Sequence, residues 1–388
     1  MKVIHLITGL DTGGAETMLY KLLSARPPDQ GENAYQPVVI SLMDKGTLGP
    51  QIESLGVPVY TVNMEQGKPT IQALYKLIRY VRKLQPDLIQ GWMYHGNLAS
   101  QIASIAPFKS VLTLWNIRNC VYTLADEKPG TAKVITLSAR LSRLPASIIY
   151  NSKTSVVQHE ALGYTPDKTV VIPNGFNTES LRPSPAAYRS VRDELNLESE
   201  TRLIGRIGRY HAIKDHATFL QAAKQLLAQW PDVHFVMAGP GVDWDNLALV
   251  EQIRRLEMSD RIHLLGDRRD IPRLTAALDI SCSSSSHGEA FPNVIGEAMS
   301  CCVPCVVTDV GDSAWIVGET GKVVPPAQPT ALAQALQDLL EAGPVSRRRL
   351  GETARQTVID LFSLDAIAAQ YLNLYRQVIN KPALGIAR

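Results

Sequence analysis

Short runs rich in β-branched residues recur along the chain. Between them lie segments whose apolar positions repeat every three or four residues. In the first half the runs are KVIHLIT, PVVISL, PVYTV, DLIQG, VLTLW, SIIY and TVVI. In the second half they are RLIGRI, VHFVMAG, RIHLLG, DISCSS, PCVVTD and GKVVP. Their length and branching predict buried strands, whereas TIQALYKLIRYVRKL and HATFLQAAKQLLAQW have the spacing of amphipathic helices. Such alternation predicts parallel sheets with helices on both faces.

The two series are separated by PNGFNTESLRPSP, residues 173–185, whose Pro, Asn, Ser and Gly content marks a linker. We therefore expect an α/β chain of two Rossmann-like domains facing a cleft, 1–172 and 186–363, followed by a helix and tail over 364–388. The segment SLDAIAAQYLNLYRQVIN would cross back to the first domain. In such domains ligands bind beyond the carboxyl ends of the strands.

Composition narrows the classes. At 388 residues the chain exceeds what one core usually supports. A net charge of +2 argues against a nucleic-acid binder. The charge is uneven, with 17 Lys and Arg against 12 Asp and Glu in residues 1–170. No stretch approaches the roughly 20 apolar residues of a membrane span. MKVIHLITGL is too short and too polar at its end for a signal peptide, so a cytoplasmic, reducing setting is expected. CCVPC contains a C-x-x-C, but no second Cys/His pair stands nearby, and its cysteines read as small core residues.

Three strand-to-helix turns carry candidate chemistry. TGLDTGGAET follows the first strand; Gly9-x4-Gly14 imitates a phosphate loop, but Ala15-Glu16 replaces the Lys-Ser/Thr pair. What remains is a Gly13–Gly14 turn into a helix, whose free N–H groups suit an anion. GRIGRYHAIKDH places Arg209 just past a strand and Lys214 at the next helix, two cations fit for a diphosphate. SSSSHGEAFPNVIGEAM sets Glu289 in a loop, Pro292 near a helix start and Glu297 one turn inside. Backbone N–H groups around Phe291 to Asn293 would face a ligand whose hydroxyls both carboxylates could read. A solvated charge at a helix N-terminus is the plainer account of either glutamate.

Together these turns resemble the retaining glycosyltransferases of family 4, which have the GT-B fold. The resemblance runs through GGAE, IPNGFNTESLRP, GRYHAIKD, VMAGPG, RIHLLGDRRDIP, EAFPNVIGEAMSC and PCVVTDVGDSAWIVGETGKVVP. The E-x7-E spacing of Glu289 and Glu297 is the family signature. The resemblance implies that Glu297 grips the ribose, Glu289 the donor sugar, and Arg209 and Lys214 the diphosphate, beneath the Gly13–Gly14 loop. It implies a hexosyl or N-acetylhexosaminyl transferase that uses a nucleoside-diphosphate sugar and requires neither cofactor nor metal. The acceptor would be a glycan, a lipid-linked molecule or a small molecule, in bacterial surface polysaccharide or glycolipid synthesis.

The chain departs from this pattern in two places, and one further motif is a look-alike. Where many relatives carry a histidine after the fifth strand, LTLWNIRN puts Trp115 or Asn116, with Arg118 following; His95 in WMYHGN is the nearest first-domain histidine candidate. Cys302 stands where relatives usually have glycine. Asp243-x-Asp245 imitates a metal-binding D-x-D, but an aspartate there is the expected cap of the helix that follows. Lys76, Arg79, Arg82 and Lys83 make LYKLIRYVRKL a candidate for peripheral contact with the anionic inner face of the plasma membrane, or simply a solvated face. A sugar-nucleotide 2-epimerase and a non-catalytic sugar-nucleotide binder share these features. A dinucleotide dehydrogenase is disfavoured, because neither domain's first turn is G-x-G-x-x-G. Donor sugar, base, acceptor and linkage are not legible.

Overall fold

The computed structural model describes residues 1–25, 34–65, 67–68, 70–105 and 111–380. The chain divides into two compact units, Met1–Gly175 with the helix Leu364–Asn380, and Phe176–Ser363. Residues 173–185 therefore split at Gly175.

The first unit holds seven strands: β1 (Lys2–Ile7), β2 (Gln36–Ser41), β3 (Val59–Thr61), β4 (Leu88–Trp92), β5 (Leu112–Ile117), β6 (Ser147–Tyr150) and β7 (Thr169–Val171). They pair in the order β3-β2-β1-β4-β5-β6-β7, every pair parallel. Each coincides with one of the apolar runs in the first half. β1 is buried almost end to end, as expected of a parallel strand covered on both faces. The helix Ile71–Leu84 starts where Thr70 Oγ1 accepts from the Ala73 N–H at 3.1 Å, and ends where Gln85 turns left-handed at φ 46°.

The C-terminal helix belongs to this unit's core. Leu364, Ile367, Tyr371 and Tyr375 pack in one cluster with Val3, Leu19, Leu22 and Trp92. The expected crossing back is thus a packing contribution, with a turn-by-turn apolar stripe that the first unit's sheet and helices cover.

The second unit holds β8 (Leu203–Ile207), β9 (His234–Ala238), β10 (Ile262–Leu264), β11 (Ile280–Ser283), β12 (Cys305–Thr308) and β13 (Gly321–Val324), in the order β10-β9-β8-β11-β12-β13, again all parallel. The chain enters and leaves it side by side: Phe176 N–H donates to the Phe362 carbonyl at 2.8 Å.

In both sheets the strand order reverses next to the first strand, between β1 and β4 and between β8 and β11. Loops at the carboxyl ends of such strands diverge and leave a ligand crevice. All three chemistry-bearing turns follow β1, β8 or β11.

The cysteines are free. Cys282, Cys301 and Cys305 are buried, and burial pushes the thiols of Cys282 and Cys301 up to about 12, so both are inert core residues. Cys302 adopts φ 61°, the left-handed region that favours glycine.

Candidate functional site

In the second unit the loop after β8 is pressed onto the loop after β9. Gly208 N–H donates to the Ala238 carbonyl at 2.8 Å, and Tyr210 N–H to the Pro240 carbonyl at 2.8 Å. A Cβ on Gly239 would lie 2.5 Å from the Gly208 carbonyl carbon, so only glycine permits this approach. Arg209 is exposed on the loop. Lys214 ends the 3-10 turn Ala212–Lys214, and Asp215 caps the next helix through its carboxylate, accepting from the Thr218 N–H at 3.0 Å.

The structure brings Lys214 and Glu289 together as an ion pair, both side chains mostly buried. The same Glu289 oxygen accepts from Ser285 Oγ at 2.7 Å. Ser285 is held in turn, its carbonyl accepting from Thr308 Oγ1 at 2.6 Å. Behind Glu289, Gly311 at φ 60° comes so close that a Cβ would sit 2.5 Å from the Glu289 carbonyl oxygen. The Glu289 backbone is therefore clamped between two loops.

Glu297 is half-buried on the helix Asn293–Ser300, which Pro292 precedes as the N-cap. Asn293 opens this helix and is exposed. The Phe291 side chain is a core anchor, ringed by Phe176, Trp315 and Phe362. Any ligand contact there falls to its backbone.

Arg206 was absent from the sequence-based site and holds it together. It is 2% exposed in β8. Its Nη1 donates to His216 Nε2 at 2.8 Å, and its Nη2 donates to the Lys214 carbonyl. Burial lowers its pKa to about 10, still charged at neutral pH. Burial, then the charges of Arg206 and Lys214, depress His216 to about 3, so the imidazole stays neutral and accepts. The available signal was the cation inside the apolar run LIGRI, residues 203–207.

In the first unit, Gly13 precedes the helix Gly14–Ser24 as its N-cap. The Glu16 carboxylate folds back so tightly that a Cβ on Gly13 would lie 2.4 Å from its oxygen. Desolvation raises the Glu16 pKa, opposed by a bond to its own N–H. The helix start thus carries an internal carboxylate, which an incoming anion would have to displace.

Asn116 and Arg118 form one network, while His95 stands apart. Asn116 is fully buried; its Nδ2 donates to Tyr371 Oη at 2.9 Å. Arg118 Nη1 donates to the same hydroxyl at 2.9 Å and Nη2 to Asn174 Oδ1. The guanidinium thereby ties the end of β5 to the chain leaving the unit and to the helix returning to it. Trp115 lies wholly in the core. His95 is in the first turn of the helix Met93–Ser104, which starts abruptly after β4 with Met93 at φ 60°. Partial burial lowers its pKa.

The D-x-D look-alike is resolved differently from expectation. Asn246, and neither aspartate, caps the helix Leu247–Arg255, accepting from the Leu249 N–H at 3.2 Å. Asp243 Oδ1 accepts from the Asp245 N–H at 3.1 Å, closing the turn before it. No helix among the described residues is long and apolar enough to cross a membrane.

Residues 12–180 match the family described as Glycosyltransferase Family 4, and residues 201–342 the one described as Glycosyl transferases group 1. The N-acetyl-alpha-D-glucosaminyl L-malate synthase of Bacillus anthracis is 26% identical over 191 residues, 49% of this chain and 49% of that protein. The phosphatidyl-myo-inositol mannosyltransferase of Mycolicibacterium smegmatis is 29% identical over 227 residues, 57% of this chain and 54% of that one. The chain spans about half the length of these curated relatives. Among solved structures, Anabaena HepE in complex with UDP superposes with a TM-score of 0.82 at 23% identity, covering 97% of this chain and 100% of that one. HepE has also been solved with UDP-glucose. The likeness establishes a shared fold.

Proposed function

We propose, from the premise that this chain belongs to the glycosyltransferases of family 4 and has the GT-B fold, that it moves a sugar from a nucleoside diphosphate to an acceptor hydroxyl with retention at the anomeric carbon. The observation that carries the reading is the Lys214–Glu289 pair at the strand-order reversal, beside the helix that bears Glu297. Structures of HepE with UDP and UDP-glucose support a nucleotide-sugar donor.

In this reading Arg209 and Lys214 neutralise the diphosphate, Glu297 accepts from the ribose hydroxyls, and Glu289 accepts from hydroxyls of the transferred sugar. The pair pre-sets the geometry, since a diphosphate oxygen replaces one carboxylate contact on Lys214 without moving its stem. The acceptor oxygen bonds to the anomeric carbon as the carbon–phosphate oxygen bond breaks. The departing oxygen takes the acceptor proton on the same face. Two fixed cations then serve the leaving group without a divalent metal. The donated group would be a hexosyl or N-acetylhexosaminyl unit, and the product a surface polysaccharide or glycolipid.

A thermal-shift panel of nucleoside diphosphates and their sugars tests this directly, because a ligand of the native state raises its melting point. One sugar nucleotide should dominate, and release of its nucleoside diphosphate should persist in excess EDTA. No shift from any member would remove the donor site. Loss of turnover in EDTA, restored by manganese, would overturn the charge assignment. A shift without release, over mixed acceptors, would leave a binding protein.

A further inference from the structure

The run SSSS, residues 283–286, has the composition of a plain polar loop, yet its members take up separate tasks. Ser283 ends β11. Ser284 is fully buried, and its Oγ lies 3.1 Å from both the Lys214 and the Asp215 carbonyl. Ser286 N–H donates to the Ile213 carbonyl at 2.9 Å. A Cβ on Gly288, at φ 76°, would lie 2.8 Å from Ile213 Cδ1. The loop is therefore stitched to the turn that carries Lys214 both before and after Ser285.

Ser285 behaves differently from its neighbours. It is 2% exposed, and its Oγ donates to Glu289 Oε1 at 2.7 Å rather than to a backbone carbonyl, the commoner partner of a side-chain hydroxyl. Lys214 Nζ holds the same oxygen. The Ser285 backbone is fixed in turn from β12. Thr308, also buried, places its Oγ1 2.6 Å from the Ser285 carbonyl and 3.3 Å from that of Ser283. A hydroxyl has one proton to give, and the shorter contact takes it. A line of hydrogen bonds thus runs from the end of a buried strand through Ser285 to the Glu289 carboxylate, without passing through Lys214.

We infer that Ser285 is a positioning residue for the transferred sugar and that Thr308 supports it. When Lys214 turns from Glu289 to the diphosphate, the Ser285 hydroxyl keeps Glu289 Oε1 in place, so the carboxylate meets the sugar hydroxyls at a fixed angle. An O–H bond to an ionised carboxylate is short and strong enough for that task. The stakes are set by geometry, since about 1 Å of misplacement costs about 10²-fold in rate. The inference rests on the reading of Glu289 as the sugar contact and adds to it a residue that touches neither donor nor acceptor.

The test is a double-mutant cycle on the full chain, with the sugar nucleotide that dominates the thermal-shift panel as donor and release of its nucleoside diphosphate as readout. Ser285→Ala should lower kcat about ten-fold or more and change affinity for the free nucleoside diphosphate by less than about two-fold, because the contact acts on the sugar. In a Glu289→Ala background the same substitution should change kcat by less than about two-fold, since the group it positions has gone. Thr308→Val, of similar shape without the hydroxyl, should lower kcat in the same direction, and Thr308→Ser, which keeps the hydroxyl, should restore most of the rate. If Ser285→Ala does not melt cooperatively, Ser285→Cys and the Thr308 pair carry the same comparison. An unchanged kcat in folded Ser285→Ala would overturn the inference. So would an equal loss in both backgrounds, the mark of a merely structural serine. Equal impairment of Thr308→Val and Thr308→Ser would remove Thr308 from the line. A native rate in Glu289→Ala would bring down the sugar-contact reading itself, whereas a slow Glu289→Ala with an additive Ser285 effect would bring down the positioning role alone.

Discussion

Lys214 and Glu289 satisfy each other before any ligand arrives, so removing one changes the other's availability. Glu289→Ala should lower turnover while leaving affinity for the nucleoside diphosphate unchanged or higher, because Lys214 loses its internal competitor. Lys214→Ala should weaken nucleoside-diphosphate binding and cut turnover by about 10²–10³, the usual scale for one preorganised charge donor. Calorimetric titration with the nucleoside diphosphate that dominates the thermal-shift panel, beside initial rates, separates the two; equal loss of its affinity in both variants would undo the division of roles. Arg206 makes a different prediction. Arg206→Met strands the His216 nitrogen and leaves the Lys214 carbonyl with Ser284 Oγ alone, at a cost of about 1–3 kcal/mol for the unsatisfied buried acceptor. Urea denaturation should show that loss, and nucleoside-diphosphate binding should weaken as the 208–215 loop loosens; full stability would mean the arginine is a bystander.

Strands were the most legible elements, because parallel strands covered on both faces leave nearly unbroken β-branched runs. Every one of the thirteen quoted runs holds one of β1–β13. Side-chain partners were less legible. Asp243 and Asp245 looked like caps by residue type, yet Asn246 took the position, since type alone does not fix which of several competent residues reaches the free N–H. Arg206 was hidden because a buried cation is defined by acceptors far along the chain, at His216 and Ser284. The same elements set a pH response. His5, His159 and His216 are buried, with burial lowering their pKa from 6.5 to about 3, about 4 and about 3. A folded pKa below the unfolded value means that unfolding takes up protons as pH falls below 6.5. Stability should therefore be full above pH 6.5 and decline toward pH 4, by at most about 1.4 kcal/mol per pH unit per histidine. Urea midpoints at pH 7.5 and 5 test this, above the range where carboxylates dominate. His159→Gln and His216→Gln should flatten the slope; a midpoint that rises on acidification would contradict it.

The two units differ in chain continuity. The second is one uninterrupted segment, Phe176–Ser363, whereas the first needs the helix Leu364–Asn380 to cover its core. Residues 176–363 expressed alone should fold cooperatively, by circular dichroism and melting, and should bind the same nucleoside diphosphate as the full chain. Residues 1–363 should show one normal transition from the second unit and a first unit that is molten or aggregated, since Tyr371 and Tyr375 leave a hole lined by Trp92 and Leu22. A well-folded first unit in that truncation would make the C-terminal helix an accessory.

This discontinuity also has a direction in time. During synthesis the first 175 residues emerge with their core open and must wait for the chain beyond residue 363. At about 5–20 residues per second, the intervening 188 residues take roughly 10–40 s to translate. Throughout that interval the second unit grows toward completion while the first keeps an uncovered apolar face. The ribosome thus finishes the later domain first. The N-terminal sheet closes only after Leu364–Asn380 has been made, which leaves the nascent first unit open to chaperones for that interval.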